Sequence, residues 1–235
     1  MSLPLTTHLP GPGILALVGS GEYLPPMSTL DHDLLGRLDG PARVVCLPTA
    51  AGTEGDERIA YWSNLGVEYF SGLGVAHVES LAVVDRESAS DEKLASAIRQ
   101  ANFVYISGGK PQYLYLTLEN TPVFEAIRSV LEQGGVVAGC SAGAMIFGER
   151  IPASPFPWSW ENGFAFLPGS IILPHFDELP QALLTGFSPF VGEWTLVGVE
   201  GNTALVCTQG ECTVRGSGGV TIIRGNQKER YTETA

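Results

Sequence analysis

Along the first two thirds of the chain, short, largely apolar runs alternate with longer stretches of mixed character. The short runs are Gly13 to Gly19, Arg43 to Thr49, Ala76 to Val83, Phe103 to Ser107 and Val136 to Gly139. Between them, residues 56–73, 91–101 and 121–133 place apolar side chains at helical spacing. The last of these carries Thr121 in a capping position and Pro122 in its first turn. Val123, Ile127, Val130 and Leu131 form its stripe, and Gly134-Gly135 stops it. Strands that are apolar on both faces are covered on both faces, so the pattern predicts a mostly parallel sheet with helices on either side. After Ile151 aromatics and prolines dominate to Pro168, Ser170 to Phe176 reads as a strand, and Trp194 to Gly225 reads as short strands joined by glycine turns. The expectation is one α/β domain over 1–235 with antiparallel C-terminal edge strands. An irregular arm over 1–12 and an irregular polar tail over 226–235 complete it.

Composition narrows the function. The chain has 235 residues, enough to bury a sizeable core, and its 44% hydrophobic content argues against disorder. With 13 Lys and Arg against 25 Asp and Glu, the formal charge is −12. Binders of phosphate backbones and of anionic membranes need clustered bases, so neither nucleic acid nor membrane is an expected partner. No window reaches the ~18 apolar residues of a membrane span, and the N-terminus lacks the basic and apolar regions of a secretory signal. Cys46, Cys140, Cys207 and Cys212 show no CxxC pair and read as buried, reduced thiols, which points to a cytoplasmic location and to no zinc site.

The segment with the strongest chemical signal is Gly139-Cys140-Ser141-Ala142-Gly143-Ala144, a G-x-S-x-G frame that follows the fifth strand and opens an apolar helix. A sharp strand-to-helix turn lifts such a serine above the carboxyl edge of a sheet, and free N–H groups at the helix start face a developing oxyanion. Cys140 is the rival nucleophile, but it belongs to the strand, and the frame centres on Ser141. Among the histidines, His8, His32 and His77 sit in an arm, a polar helix start and a strand. His175 ends a strand (Ile171 to Pro174), where open parallel sheets bind ligands, and is the candidate base. Two acids compete to orient it: Asp177, two residues on, and Glu200, at the end of the run from Trp194. Glu178 and Glu161 read as solvated surface charges. Gly108-Gly109 after the fourth strand, with Lys110 and Gln112 following, offers backbone donors at Gly109 to complement Ala142 in an oxyanion hole.

These pieces in this order resemble the serine peptidases that include aspartyl dipeptidase (peptidase E) and cyanophycinase, on a class I glutamine-amidotransferase-like fold. The matching segments are Leu47-Pro48-Thr49-Ala50, Ser107-Gly108-Gly109 with Gln112, the Ser141 frame, Pro174-His175-Phe176 and Glu200-Gly201-Asn202-Thr203-Ala204-Leu205. The resemblance implies a Ser141-His175-Glu200 triad, an oxyanion hole at Gly109 and Ala142, and no metal or organic cofactor. It raises Glu200 above Asp177 and implies a small peptide substrate. The chain is expected to be a monomer or homodimer, a choice the sequence does not make. The departures concern specificity. In the family, arginines soon after the catalytic histidine recognise acidic groups, whereas residues 151–214 here hold six acids and no Lys or Arg. A substrate carboxylate is left with Lys110, Arg150 or backbone donors. Phe156, Trp158, Trp160, Phe164 and Phe166 either wall an apolar pocket or pack a long loop on the core. The expected function is therefore a serine-type dipeptidase or exopeptidase without strict aspartate or cyanophycin specificity. The alternatives are an esterase or amidase on non-peptide substrates, or a non-catalytic binding member of the fold.

Overall fold

A computed structural model describes residues 2–155, 158–180 and 194–233, the side chains of 154, 155 and 158 excepted. In chain order the elements are β1 (Ile14–Val18), α1 (Ser28–Leu35), β2 (Arg43–Leu47), α2 (Asp56–Gly72), β3 (His77–Ser80), α3 (Arg86–Ala89), α4 (Glu92–Gln100), β4 (Phe103–Ile106), α5 (Pro111–Leu118), α6 (Pro122–Glu132), β5 (Val136–Cys140) and α7 (Ala142–Met145). The rest is β6 (Gly148–Pro155), β7 (Trp158–Asn162), β8 (Leu167–Leu173), β9 (Thr195–Val199), β10 (Thr203–Thr208), β11 (Glu211–Gly216), β12 (Gly219–Arg224) and β13 (Gln227–Thr232).

Among the described residues these strands form two sheets. The first runs β11-β10-β1-β5-β4-β2-β3, with β1, β5, β4, β2 and β3 mutually parallel and β10 and β11 antiparallel at one edge. Alternation along each strand divides its side chains between two layers. Leu15, Leu17, Val45, Leu47, Val104, Ile106 and Val137 join the core shared with α4, α5 and α6. Ala16, Val18, Val44, Cys46, Phe103, Tyr105, Ala138 and Cys140 face α1 and α2. The expected α/β architecture is present, and all four loops that follow β1, β2, β4 and β5 open at the carboxyl ends of the parallel strands.

The second sheet, β13-β12-β9-β8-β6-β7, is where the sequence pattern fell short. Pro152 and Pro155 disguise β6, whose pairing with β7 shifts register between Pro152 and Ser154, the kind of irregularity that tolerates proline. The tail expected to be irregular is β13, an edge strand paired with β12 through the whole of Gln227–Thr232. Its polarity hid it, because natural edge strands carry charges that block further pairing. The N-terminal arm is also tied down: Leu3 and Leu9 are buried, and the Leu3 N–H donates to the Cys212 carbonyl at 2.8 Å.

Cysteine pairing departs from the expectation too. Cys46 and Cys140 are free and buried, but Cys207 and Cys212 form a disulfide. They face each other across the β10–β11 hairpin, one step in from the closing pair Thr208/Glu211. Hydrogen-bonded and non-hydrogen-bonded pairs alternate in an antiparallel ladder, and the second kind brings side chains closest. The 4.2 Å between their Cα atoms fits that closer kind. The cytoplasmic inference rested on four reduced thiols and loses that footing. No helix among the described residues is long and apolar enough to cross a membrane.

Beneath the sheet, Asp31 on α1 is fully buried. Tyr69 donates its hydroxyl to Asp31 Oδ2 at 2.7 Å, and Oδ1 has no hydrogen-bond partner among the described residues. Burial raises its pKa from 3.8 to about 7, the Tyr69 hydrogen bond opposing; Cys46, Tyr105 and Cys140 are its other titratable neighbours. An acid whose folded pKa is raised contributes stability that is fully present below its unfolded value and is lost as pH rises through the folded one. Asp31→Asn, which keeps an acceptor for Tyr69, should therefore match the wild type near pH 4 and exceed it near pH 8, by up to about 4 kcal/mol. Urea denaturation at the two pH values checks this, and parallel curves would refute it.

Candidate active site

The G-x-S-x-G frame is a steric requirement of the turn. A methyl group on Gly139 would stand 2.2 Å from the Gly143 carbonyl oxygen, and one on Gly143 would stand 2.4 Å from that of Ile106. Both contacts are with backbone, so nothing soft can yield. Gly143→Ala should cost at least about 2 kcal/mol of unfolding free energy, read from chemical denaturation; an unchanged midpoint would contradict this packing. Between the glycines, Ser141 holds φ 52 and ψ −114, a conformation costly for any residue with a Cβ. Strain of this kind gathers around the site, since Tyr23, His175 and Asn202 also have positive φ.

Ser141 and His175 meet as expected. His175 Nε2 lies 3.1 Å from Ser141 Oγ. For Nε2 to accept the serine proton, the neutral ring must carry its hydrogen on Nδ1. That nitrogen lies 3.4 Å from the carboxylate of Glu178. The turn is responsible: the Glu178 N–H donates to the His175 carbonyl at 3.0 Å, which folds the carboxylate back over the ring. The Glu178 side chain is 64% exposed, as its reading as a solvated charge implies, yet among the described residues it is the acid that faces the imidazole. Only the turn reveals this, and no residue spacing announces such a turn.

The structure does not bring Glu200 to the ring. Arg230, on β13, donates to both of its carboxylate oxygens at 2.6 Å, and the Gly219 N–H donates to Oε2 at 2.8 Å. The Arg230 hydrogen bonds hold the Glu200 carboxyl below the usual carboxylate range. Asp177 is likewise engaged elsewhere, accepting from the Gly201 N–H at 2.8 Å.

The candidate oxyanion donors differ in setting. Gly109, exposed after β4, holds φ 146, a glycine conformation, and a methyl group there would meet the Ala50 carbonyl at 2.5 Å. Ala142 is the first residue of α7, which is a single turn and supplies individual N–H groups rather than a long helix dipole. Neither N–H has an acceptor among the described residues. Cys140 is no competitor to Ser141. Its thiol is fully buried, donates to Glu22 Oε2 at 3.0 Å, and is pushed up in pKa chiefly by burial.

The other sequence candidates have structural partners. Lys110 Nζ donates to Thr53 Oγ1 at 2.8 Å, and the Gln112 amide donates to the Pro152 carbonyl, tying α5 to β6. Arg150 donates to Asn162 and lies 5.2 Å over the Trp194 ring. Trp160 packs against Ile171, Leu173, Phe176 and Leu196. Phe164 stacks on Phe124 at 3.6 Å, and Phe166 sits 5.2 Å from Phe147, so both belong to the core. Phe156 and the Trp158 side chain lie outside the described residues.

The sequence profile of peptidase family S51 matches residues 15–215, which include the Ser141 frame, His175, Glu178 and Glu200. The chain belongs to peptidase family S51. The family and the fold are those of a serine peptidase. A solved structure of a peptidase from an acI-B1 Actinobacterium is 32% identical, covers 95% of each chain and superposes with a TM-score of 0.84. A candidate peptidase E from Listeria monocytogenes EGD-e, 18% identical over 87% of this chain and 98% of its own, shares the fold with a TM-score of 0.65. Two cyanophycinases, from Synechococcus elongatus and Thermosynechococcus vestitus, are each 28% identical over 151 residues, 59% of this chain. The match covers 47% of their length, so the chain spans about half of the curated relatives it matches.

Proposed function

We propose that this S51 member hydrolyses small peptides through an acyl-enzyme on Ser141, as a dipeptidase or exopeptidase without strict aspartate or cyanophycin specificity. The observation that carries the reading is the 3.1 Å contact between Ser141 Oγ and His175 Nε2 on a strained strand-to-helix turn. Ser141 Oγ attacks the scissile carbonyl while Nε2 takes its proton. The imidazolium so formed presents Nδ1–H to Glu178, and the oxyanion faces the N–H groups of Gly109 and Ala142. Collapse of the tetrahedral species passes the proton from Nε2 to the leaving amine. Water, activated by the same nitrogen, then releases the acid.

Charge supports the specificity. Glu22, Asp177 and Glu178 surround the two central residues, Arg230 offsets Glu200, and Lys110 is directed to Thr53. Such a field favours neutral or cationic peptide groups over acidic ones. Of the aromatic residues that would have favoured an ester substrate, Phe164 and Phe166 pack into the core and Trp160 packs against Ile171 and Leu196. A dipeptide and tripeptide library digested by the wild type and by Ser141→Ala, and read by mass spectrometry, tests the proposal. Cleavage by the wild type alone, with neutral and basic N-terminal residues preferred, is the expected result. No cleavage, or equal cleavage by the variant, would overturn it, and products confined to aspartyl peptides would overturn the specificity.

A further inference from the structure

We propose that Glu22, in the connection between β1 and α1, is a positioning residue that locks the oxyanion loop to the nucleophile turn. The inference rests on the peptidase reading above. Glu22 Oε1 accepts the Gly108 N–H at 3.1 Å, and Oε2 accepts the Cys140 thiol at 3.0 Å. Gly108 immediately precedes Gly109, and Cys140 immediately precedes Ser141. One carboxylate therefore bridges the residue before an oxyanion donor and the residue before the nucleophile. The space between them is too narrow for a methyl group: a Cβ added at Gly108 would lie 2.9 Å from Glu22 Oε1, 3.1 Å from Ser141 Cβ and 3.5 Å from Ser141 Oγ.

The bridge is held from behind. Tyr23 adopts φ 61, an outlier for a bulky side chain, and this reversal aims the preceding carboxylate back at the sheet edge. Its ring, 3% exposed, is fixed among Tyr105 at 4.8 Å, Tyr69 at 5.9 Å and Phe70 at 6.1 Å. The same connection braces the base, because the Gly19 carbonyl accepts the His175 N–H at 3.3 Å and the Ser20 carbonyl accepts the Asn202 N–H at 3.1 Å. Burial keeps Cys140 a thiol, hence a donor. The Gly108 N–H is bound to Glu22 and the Lys110 N–H to the Ala50 carbonyl at 2.9 Å, so the peptide planes on both sides of the one that carries the Gly109 N–H are held, and that N–H is left for the substrate. A donor displaced by even part of an ångström loses most of its value to an oxyanion, while substrate binding is little affected.

Three substitutions separate position from charge. Glu22→Gln keeps the reach and the Gly108 acceptor but not the charge, and should keep kcat within about fivefold of the wild type. Glu22→Asp keeps the charge and falls one methylene short; it and Glu22→Ala should lose about 10²-fold in kcat, with KM within about threefold. A peptide aldehyde, which adds to Ser141 and places an oxyanion-like oxygen in the hole, should weaken in proportion to kcat across the series. Should Glu22→Ala fail to fold, the comparison of Gln with Asp still decides. Full activity in Glu22→Asp with loss in Glu22→Gln would transfer the role to the charge, and kcat unchanged in both would end the proposal. A wild type inert on every peptide would sink the peptidase reading and this role together. An active wild type with unaffected variants sinks only the role of Glu22.

Discussion

Ser141→Ala lowers kcat on a cleaved peptide by at least about 10⁴-fold and leaves the fold intact. The hydroxyl makes its contact with His175 in a half-buried position and supports no core packing, so activity and stability separate at this residue. His175→Ala should show a loss of similar size, and the double variant should lose little more, because nucleophile and base act as one unit. The backbone adds a second readout. At φ 52 and ψ −114 an alanine keeps the strain of the serine, whereas a glycine relieves it. Ser141→Gly should be as inactive as Ser141→Ala yet more stable by about 1–3 kcal/mol in chemical denaturation. Residual turnover above a few per cent in Ser141→Ala would remove the nucleophile from this site; equal stability of the two variants would remove the strain.

Glu178→Gln lowers kcat by about tenfold to a hundredfold, more than either Glu200→Gln or Asp177→Asn. A buried triad acid is worth about 10⁴, but Glu178 is 64% exposed and 3.4 Å from the ring, so water and salt share its work. Its contribution should shrink as ionic strength rises. Glu200→Gln should act on stability instead. A carboxyl held below its usual range contributes stability that is present above its unfolded pKa and lost as pH falls through the folded one. Removing it should therefore flatten the acid limb of the stability curve, and Arg230→Ala should do the same. Matched kinetics and denaturation on the three variants provide the check. If Glu200→Gln proves the most damaging to kcat, the orienting role belongs to Glu200, as the family resemblance implies.

The frame around Ser141 was legible because its causes are local. A buried strand, two glycines that no side chain can replace and a turn follow one another within a few residues, and each leaves a mark in the pattern. His175 was legible for a related reason, standing where an apolar strand ends. The parallel sheet could be read from runs that are apolar on both faces. The remaining features depend on partners distant in the chain or on turns without a signature. Whether Glu200 meets His175 depends on Arg230, which lies on a strand whose edge position makes it polar and hence hard to recognise. Glu178 faces the imidazole through a turn between residues 175 and 178 that carries no glycine or proline. Cys207 and Cys212 pair because of hairpin register, which spacing alone does not reveal. By itself the sequence determined the parallel sheet, the family and the places of Ser141 and His175 at strand ends, since these follow from periodicity and from steric needs within single segments. The tertiary structure alone decided which carboxylate faces the His175 ring and which one, Glu22, bridges Gly108 and Cys140, because a charge takes whichever donors the fold brings nearest.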